Sequence, residues 1–370
     1  MLEKLLNTLD QLKASDLYVS VGLPPTVKLN GRLESLSEQE LGADDIYDLL
    51  ATTMDDDHMA AFKKTKEANF AIQLPEIGRF RISAFMQKDS PGMVIRRIQG
   101  RIPSFEELFL PEQLKEACMA KRGLILFVGA TGAGKSTTQA AMIGFRNQHA
   151  SGHILTVEDP IEFVHEHGRS VITQREVGLD TESFDDALRN SLRQAPDVIV
   201  QCEIRTRETM QFALTFAETG HLCMATLHAN NANQALDRIL HLVPKERHRQ
   251  FLFDLSVNLK AIVAQQLIPT MDGKGSRAAF EIMFNTPTLA DAIRKGELHV
   301  LKDIMKVSSE HGMQTFDQAL FQLYSDGVIG YTEALAHADS SNDLRLMIKL
   351  KATGPADNLN SGMLNDVTIG

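Results

Sequence analysis

Nine residues constrain the fold more than any others: Gly129-Ala130-Thr131-Gly132-Ala133-Gly134-Lys135-Ser136-Thr137, preceded by the apolar run GLILFV. They satisfy G-x-x-x-x-G-K-[ST] between a predicted strand and a predicted helix, the context in which that motif binds phosphate. Glycines let successive backbone N–H groups turn toward phosphate oxygens, and the following helix presents its positive end. Lys135 is then expected to reach the β- and γ-phosphates and Ser136 to ligate Mg²⁺, which makes ATP with Mg²⁺ the expected ligand set. Such a loop needs a strand–loop–helix unit in a larger sheet. The chain offers one, because HILTVED, SVITQRE, DVIVQCE and HLCMATLH read as further strands, with helices at Ser183 to Arg193 and Arg207 to Glu218. Continuous apolar strands between helices predict an α/β fold with a mainly parallel sheet covered on both faces.

The N-terminal third has a different rhythm. Leu2, Leu5, Leu6, Leu9 and Leu12 recur at helical spacing, and the short runs DLYVSV, TVKLNG, NFAIQL, RFRISAFMQ and GMVIRRI read as strands. Helices are expected around Asp44 to Met54 and Asp55 to Lys64. In RFRISAF, alternation places Phe80, Ile82 and Ala84 on one face and Arg79, Arg81 and Ser83 on the other, the pattern of a half-buried sheet. This α+β unit is expected to span residues 1–98, followed by a linker at 99–111, where glycine and prolines interrupt both periodicities. The second unit is expected over 112–345. Its end is helical, with Leu289 to Lys295, Leu298 to Val307, Thr315 to Tyr324 and Thr332 to Ala338, and Thr288 with Asp291 as a capping pair for the first. Residues 346–370 carry little apolar periodicity and are expected to form a mobile tail.

Composition narrows the partners. Lys and Arg total 38 against 48 Asp and Glu, a net charge of −10, and there is no Trp. That balance disfavours a polyanion binder, so no nucleic-acid partner is expected and a DNA translocase ranks last among the readings. Cys118, Cys202 and Cys223 form no C-x-x-C pair, which offers neither a disulfide framework nor a thiolate zinc site. The opening lacks a signal-peptide core, and no run approaches a spanning helix. A cytoplasmic location is expected, with any membrane association made through a partner.

A phosphate grip needs carboxylates to hold Mg²⁺ and orient water. Two apolar strands end in acids, HILTVED at Glu158-Asp159 and DVIVQCE at Glu203. One such end alone is more readily a solvated charge or a cap, but two beside a phosphate loop favour function. HLCMATLH closes on His228, either a donor at the same sheet edge or a structural histidine.

GATGAGKST, TVEDPIEFVH, the strand ending Glu203-Ile204-Arg205, and AETGHLCMATLHANNANQALDRI closely resemble the Walker A, Asp box, Walker B and His box of the bacterial type II/type IV secretion ATPases. The resemblance continues through RFRISAFMQ, GMVIRRI, QQLIP and GMQTFDQAL, and is closest to the type IV pilus retraction ATPases of the PilT/PilU family. AETGHLC with LHANNANQALDRI, and AIRKGELHVLKDIMK where PilT usually carries AIRNLIRE, favour the PilU side. Extension ATPases of the superfamily normally carry two C-x-x-C pairs and a further N-terminal domain. The resemblance implies a PAS-like N-terminal domain, a RecA-like ATPase domain, a homohexameric ring with ATP held at the domain boundary, and peripheral association with an inner-membrane platform protein of the pilus machine. It also implies twitching motility as the process served, and a PilT-like companion ATPase.

Residue by residue, the resemblance assigns Arg81, Arg96 and Arg97 to approach nucleotide phosphates, Glu158 to activate water, Glu203 to support Mg²⁺ through water, and His228 to sense the γ-phosphate. The two glutamate roles remain interchangeable at this point. The Walker B stretch departs from the family pattern, because Cys202 stands where glycine is usual and Thr206 follows Arg205. Cys202 is either a tolerated small side chain or a reason for slow hydrolysis. The corresponding alternative function is an ATP-binding coupling module with weak or no autonomous turnover.

Overall fold

The computed structural model describes residues 1–352 except Asn30, Glu76, Gln99, Glu310 and His311, and leaves out the side chains of Cys202 and Ala352. The expectations for the Cys202 side chain, for residue 99 of the linker and for residues 353–370 of the tail lie outside the described residues. The chain divides into two compact units: Met1–Pro103 with Val157–Gly168 and Ile172–Ala187, and Ser104–Thr156 with Arg169–Val171 and everything from Leu188 onward.

In the first unit, strands β1 (Asp16–Ser20), β2 (Thr26–Leu29), β3 (Arg32–Ser35), β4 (Glu67–Leu74), β5 (Gly78–Gln87) and β6 (Ser90–Ile98) form a sheet in the order β3-β2-β1-β6-β5-β4. Every pair is antiparallel. One face is apolar, because alternation buries Phe80, Ile82 and Ala84 and leaves Arg79, Arg81 and Ser83 on the other side. Helix Leu2–Gln11 contributes Leu6 and Leu9 to that core, and helix Ala43–Ala51 contributes Ile46 and Leu50. Phe62 joins them from helix Asp56–Thr65, whose start is fixed by the Asp55 carboxylate accepting the His58 N–H at 2.8 Å. β3 carries no apolar alternation and is exposed throughout, so sequence pattern gave no sign of it.

The other sheet contains β7 (Gly123–Val128), β8 (Gly152–Glu158), β9 (Ser170–Glu176), β10 (Val198–Glu203), β11 (Leu222–Leu227), β12 (Leu259–Pro269) and β13 (Ser276–Phe284), in the order β13-β12-β7-β11-β10-β8-β9. β7 and β11 are buried at every position, as their unbroken apolar runs require. β12, β7, β11 and β10 are parallel neighbours, while β13 returns antiparallel along β12. The sheet is therefore mixed, and its antiparallel hairpin comes from a stretch that the sequence pattern did not mark as strand.

Two boundaries differ from expectation. The helix expected at Leu289 starts at Pro287 after Thr286, while Asp291, proposed as half of a capping pair, forms ion pairs with Arg294 and Lys295 instead. Proline at the first helical position supplies the start signal. Residues 346–352, expected in the mobile tail, belong to helix Ser341–Ala352, which buries Leu344. No helix among the described residues is long and apolar enough to cross a membrane.

Candidate functional site

The loop after β7 owes its shape to close approach by β12. A Cβ on Gly129 would come within 2.6 Å of the Gln265 carbonyl oxygen, and one on Gly134, at φ +88°, within 2.7 Å of Gln265 Nε2. A side chain at Gly129 would displace the β12 backbone, while one at Gly134 would displace the Gln265 amide and adopt a backbone conformation that favours glycine. Gln265 is buried, and its Oε1 accepts a hydrogen bond from Thr138 Oγ1 at 2.7 Å, so one side chain braces both the loop and the helix Lys135–His149 that follows it. Sequence reasoning missed Gln265 because a glutamine inside a strand gives no chemical signal of its own.

Lys135 Nζ donates to the carbonyl oxygens of Gly129 and Ala130, both at 2.8 Å. Ala130, Thr131 and Gly132 are exposed, Ala133 is buried, and Ser136 and Thr137 are half-buried in the first turn of the helix. Thr137 lines a cavity of about 440 Å³ together with Gly134, Thr138, Gln265, Phe109 and Arg277. The Arg277 guanidinium stacks on the Phe109 ring at 3.5 Å, a flat cationic and aromatic surface beside the loop.

His228 and Glu203 reach this loop. His228, at the end of β11, places Nδ1 3.2 Å from the Gly129 carbonyl oxygen and Nε2 3.3 Å from Glu203 Oε2. Both neighbours are acceptors, so the bridge is complete only when both ring nitrogens carry protons. Glu203 Oε2 also accepts from Arg205 Nε at 2.8 Å. The register of β10 against β11 shifts between Gln201, opposite Ala225, and Glu203, opposite Thr226, a bulge that re-aims the carboxylate at the strand end.

A second carboxylate supports the His228 segment. Glu281 Oε1 accepts the N–H of Ala232 at 2.8 Å, at the start of helix Ala232–His241, and the side chain is almost fully buried. Burial pushes its carboxyl up to about 7, with Asp339 adding to the rise and the Ala232 N–H and Lys302 opposing it. It too was missed, since it sits in the apolar run AAFEIMF.

The remaining expected residues belong to the other unit. Glu158 ends β8, and its Oε1 accepts from Gln174 Nε2 at 3.1 Å. Arg81 and Arg96 are cross-strand partners on one face of the N-terminal sheet, and Arg96 also pairs with buried Asp16 at 2.8 Å. Arg97 projects from the opposite face, where it contacts Asp10 at 3.4 Å and the Ala14 carbonyl at 3.3 Å. The three arginines are thus not brought together: two share a face and the third does not, because strand neighbours alternate. Among the described residues no group of three or more His, Cys, Asp or Glu could hold a metal by itself. A hydroxyl at Ser136 and the carboxylate at Glu203 instead suit an ion that arrives with phosphate oxygens.

Comparison with known proteins identifies the family of the chain. The family model described as type II/IV secretion system protein matches residues 41–319. The chain is 58% identical over 359 residues to the type IV pilus ATPase PilU of Pseudomonas aeruginosa, covering 97% of this chain and 94% of that protein. It is 39% identical over 321 residues to the pilus retraction ATPase PilT of the same organism, covering 87% of this chain and 93% of that one. The crystal structure of the pilus retraction motor PilT with bound ADP superposes with a TM-score of 0.86 at 37% identity, covering 92% of this chain and 98% of that one. The chain therefore belongs to the type II/IV secretion system protein family and, within it, to the type IV pilus retraction and twitching-motility ATPases related to PilU and PilT.

Proposed function

We propose that this chain hydrolyses ATP to ADP and phosphate and converts the cycle into retraction of a type IV pilus, as a PilU-like partner of a PilT-type motor. The observation that carries the reading is the shared Gly129 carbonyl, which receives both Lys135 and His228 and so links the phosphate loop to Glu203. In this reading the N–H groups of residues 129–137 cradle the phosphates and Lys135 neutralises the β- and γ-oxygens. Ser136 and Glu203 hold Mg²⁺, Glu203 through water, and His228 reports whether a γ-phosphate is present. Mg²⁺ supplies charge neutralisation on the phosphate oxygens. Glu158 takes the proton of the attacking water, and Arg81 and Arg96 supply positive charge to the phosphates, with Arg97 contributing less directly from its own face. The cavity beside Thr137 accepts the nucleoside, and Arg277 on Phe109 gives the base a stacking surface.

The order β12-β7-β11-β10-β8 supports a RecA-like ATPase domain over residues 112–345, and the one-faced antiparallel sheet supports a PAS-like domain over 1–98 joined by 99–111. A homohexameric ring acting on an inner-membrane platform protein from the cytoplasmic side completes the proposal. Phosphate release by the purified chain, alone and with a PilT-like motor, tests hydrolysis, and imaging of labelled pili in a deletion strain tests its use. Pili that assemble but retract poorly are expected. Failed extension with normal retraction would contradict the proposal, and nucleotide binding with negligible release would leave the coupling-module reading in its place.

A further inference from the structure

Gln174 and Glu176 stand two residues apart on β9, and both engage the chain that leaves β8 at Glu158. Gln174 Oε1 accepts the His165 N–H at 2.7 Å, while its Nε2 donates to the Phe163 carbonyl at 2.8 Å and to Glu158 Oε1 at 3.1 Å. A single amide thus closes the 158–165 loop and turns one oxygen of the carboxylate. Glu176 Oε2 accepts the Ile161 N–H and Arg79 Nη2, each at 3.2 Å, and the Val177 N–H binds the Glu158 carbonyl at 2.9 Å. Glu176 is only 5% exposed, so its contacts with Ile161 and Arg79 are largely shielded from water. Arg79 lies on β5, which ties the same loop to the N-terminal sheet.

We propose that Gln174 is a positioning residue that orients the Glu158 carboxylate for proton transfer, with the Arg79–Glu176 pair fixing the loop that follows Glu158. The inference rests on Glu158 being the water-activating group. An amide suits this task because it donates to a carboxylate without bringing a positive charge, so orientation is gained with little loss of basicity. His165, which burial pushes down to about 4, remains neutral at physiological pH and adds no charge to the loop.

Single-turnover hydrolysis of labelled ATP by the full chain, followed from pH 5 to 9 with nucleotide affinity measured alongside, tests the assignment. Gln174→Glu places a like charge against Glu158, which favours the protonated pair, so the acid limb of the rate profile is expected to move up by about one pH unit. ATP affinity should stay within about twofold, because the substitution leaves every residue of the phosphate loop unchanged. Gln174→Met keeps the shape without the donor and covers the case in which Gln174→Glu fails to fold. It is expected to lower the plateau rate about tenfold at unchanged affinity. Arg79→Lys should retain the rate that Arg79→Met loses. A silent Glu158→Gln variant would remove the reading on which the inference rests, and the inference with it. Glu158→Gln inactive beside wild-type rates and profiles for folded Gln174→Glu and Gln174→Met would overturn the positioning role alone.

Discussion

Two glutamates end neighbouring strands of one sheet, yet their surroundings differ in kind. Glu203 sits among cationic or cation-forming donors, Arg205 at 2.8 Å and His228 at 3.3 Å, on a strand bulged just before it. Glu158 is met by the amide of Gln174, itself tied to two backbone groups of the following loop. A carboxylate gripped by guanidinium and imidazole is oriented strongly but spends its lone pairs on those partners, which suits a group that fixes water around an ion. One turned by an amide keeps its charge for a proton. In the proposed mechanism this difference favours Glu158 for proton transfer and Glu203 for the Mg²⁺ shell, a division that strand-end position alone does not make.

The largest effect should come from the lysine of the phosphate loop. Lys135→Ala removes the charge on the β- and γ-phosphates and is expected to cut turnover at least about 10³-fold by phosphate release, whichever glutamate is the base. Glu158→Gln comes next: nucleotide binding should persist while hydrolysis falls about 10²- to 10³-fold in a single-turnover assay. Arg205→Ala probes the cationic side of the comparison. Because Arg205 is mostly exposed, its pairing is worth no more than about 1 kcal/mol, so the Mg²⁺ concentration for half-maximal rate should rise only about fivefold.

The smallest effect concerns stability. Glu281 has a folded-state value raised to about 7 from 4.5, so folding takes up a proton between those limits. Stability therefore falls as pH rises through that window, and the penalty is complete above it. Glu281→Gln keeps an acceptor for Ala232 but cannot ionise. Thermal melting should show little difference at pH 4.5 and an advantage of a few degrees, on the order of 1–3 kcal/mol, at pH 8. An advantage independent of pH would contradict the burial argument.

Much of the proposed site was legible because its chemistry is local. The phosphate loop is contiguous, and Glu158, Glu203 and His228 each close an apolar run where a polar residue attracts notice. What escaped depends on partners distant in sequence. Gln265 acquires its role only when β12 lies beside β7, 127 residues from Thr138. Glu281 matters because its strand passes the start of helix Ala232–His241, and the bulge before Glu203 exists only in register with β11. Arg97 shows the same limit in reverse. Adjacency to Arg96 suggested a shared task, whereas the pleat sends the two to opposite faces. The strand β12 was masked by the adjacent Gln265 and Gln266, and the burial of Gln265 rests on a hydrogen bond that no hydropathy pattern displays.

The most direct test of the division between the two carboxylates is a Mg²⁺ titration of single-turnover ATP hydrolysis in Glu158→Gln and Glu203→Gln, measured side by side with ATP affinity. The account predicts that Glu158→Gln binds ATP with an unchanged Mg²⁺ requirement and stays slow at every Mg²⁺ concentration. Glu203→Gln should recover a substantial part of its rate as Mg²⁺ is raised about tenfold. The reverse pattern, with Glu158→Gln rescued by Mg²⁺ and Glu203→Gln not, would contradict it.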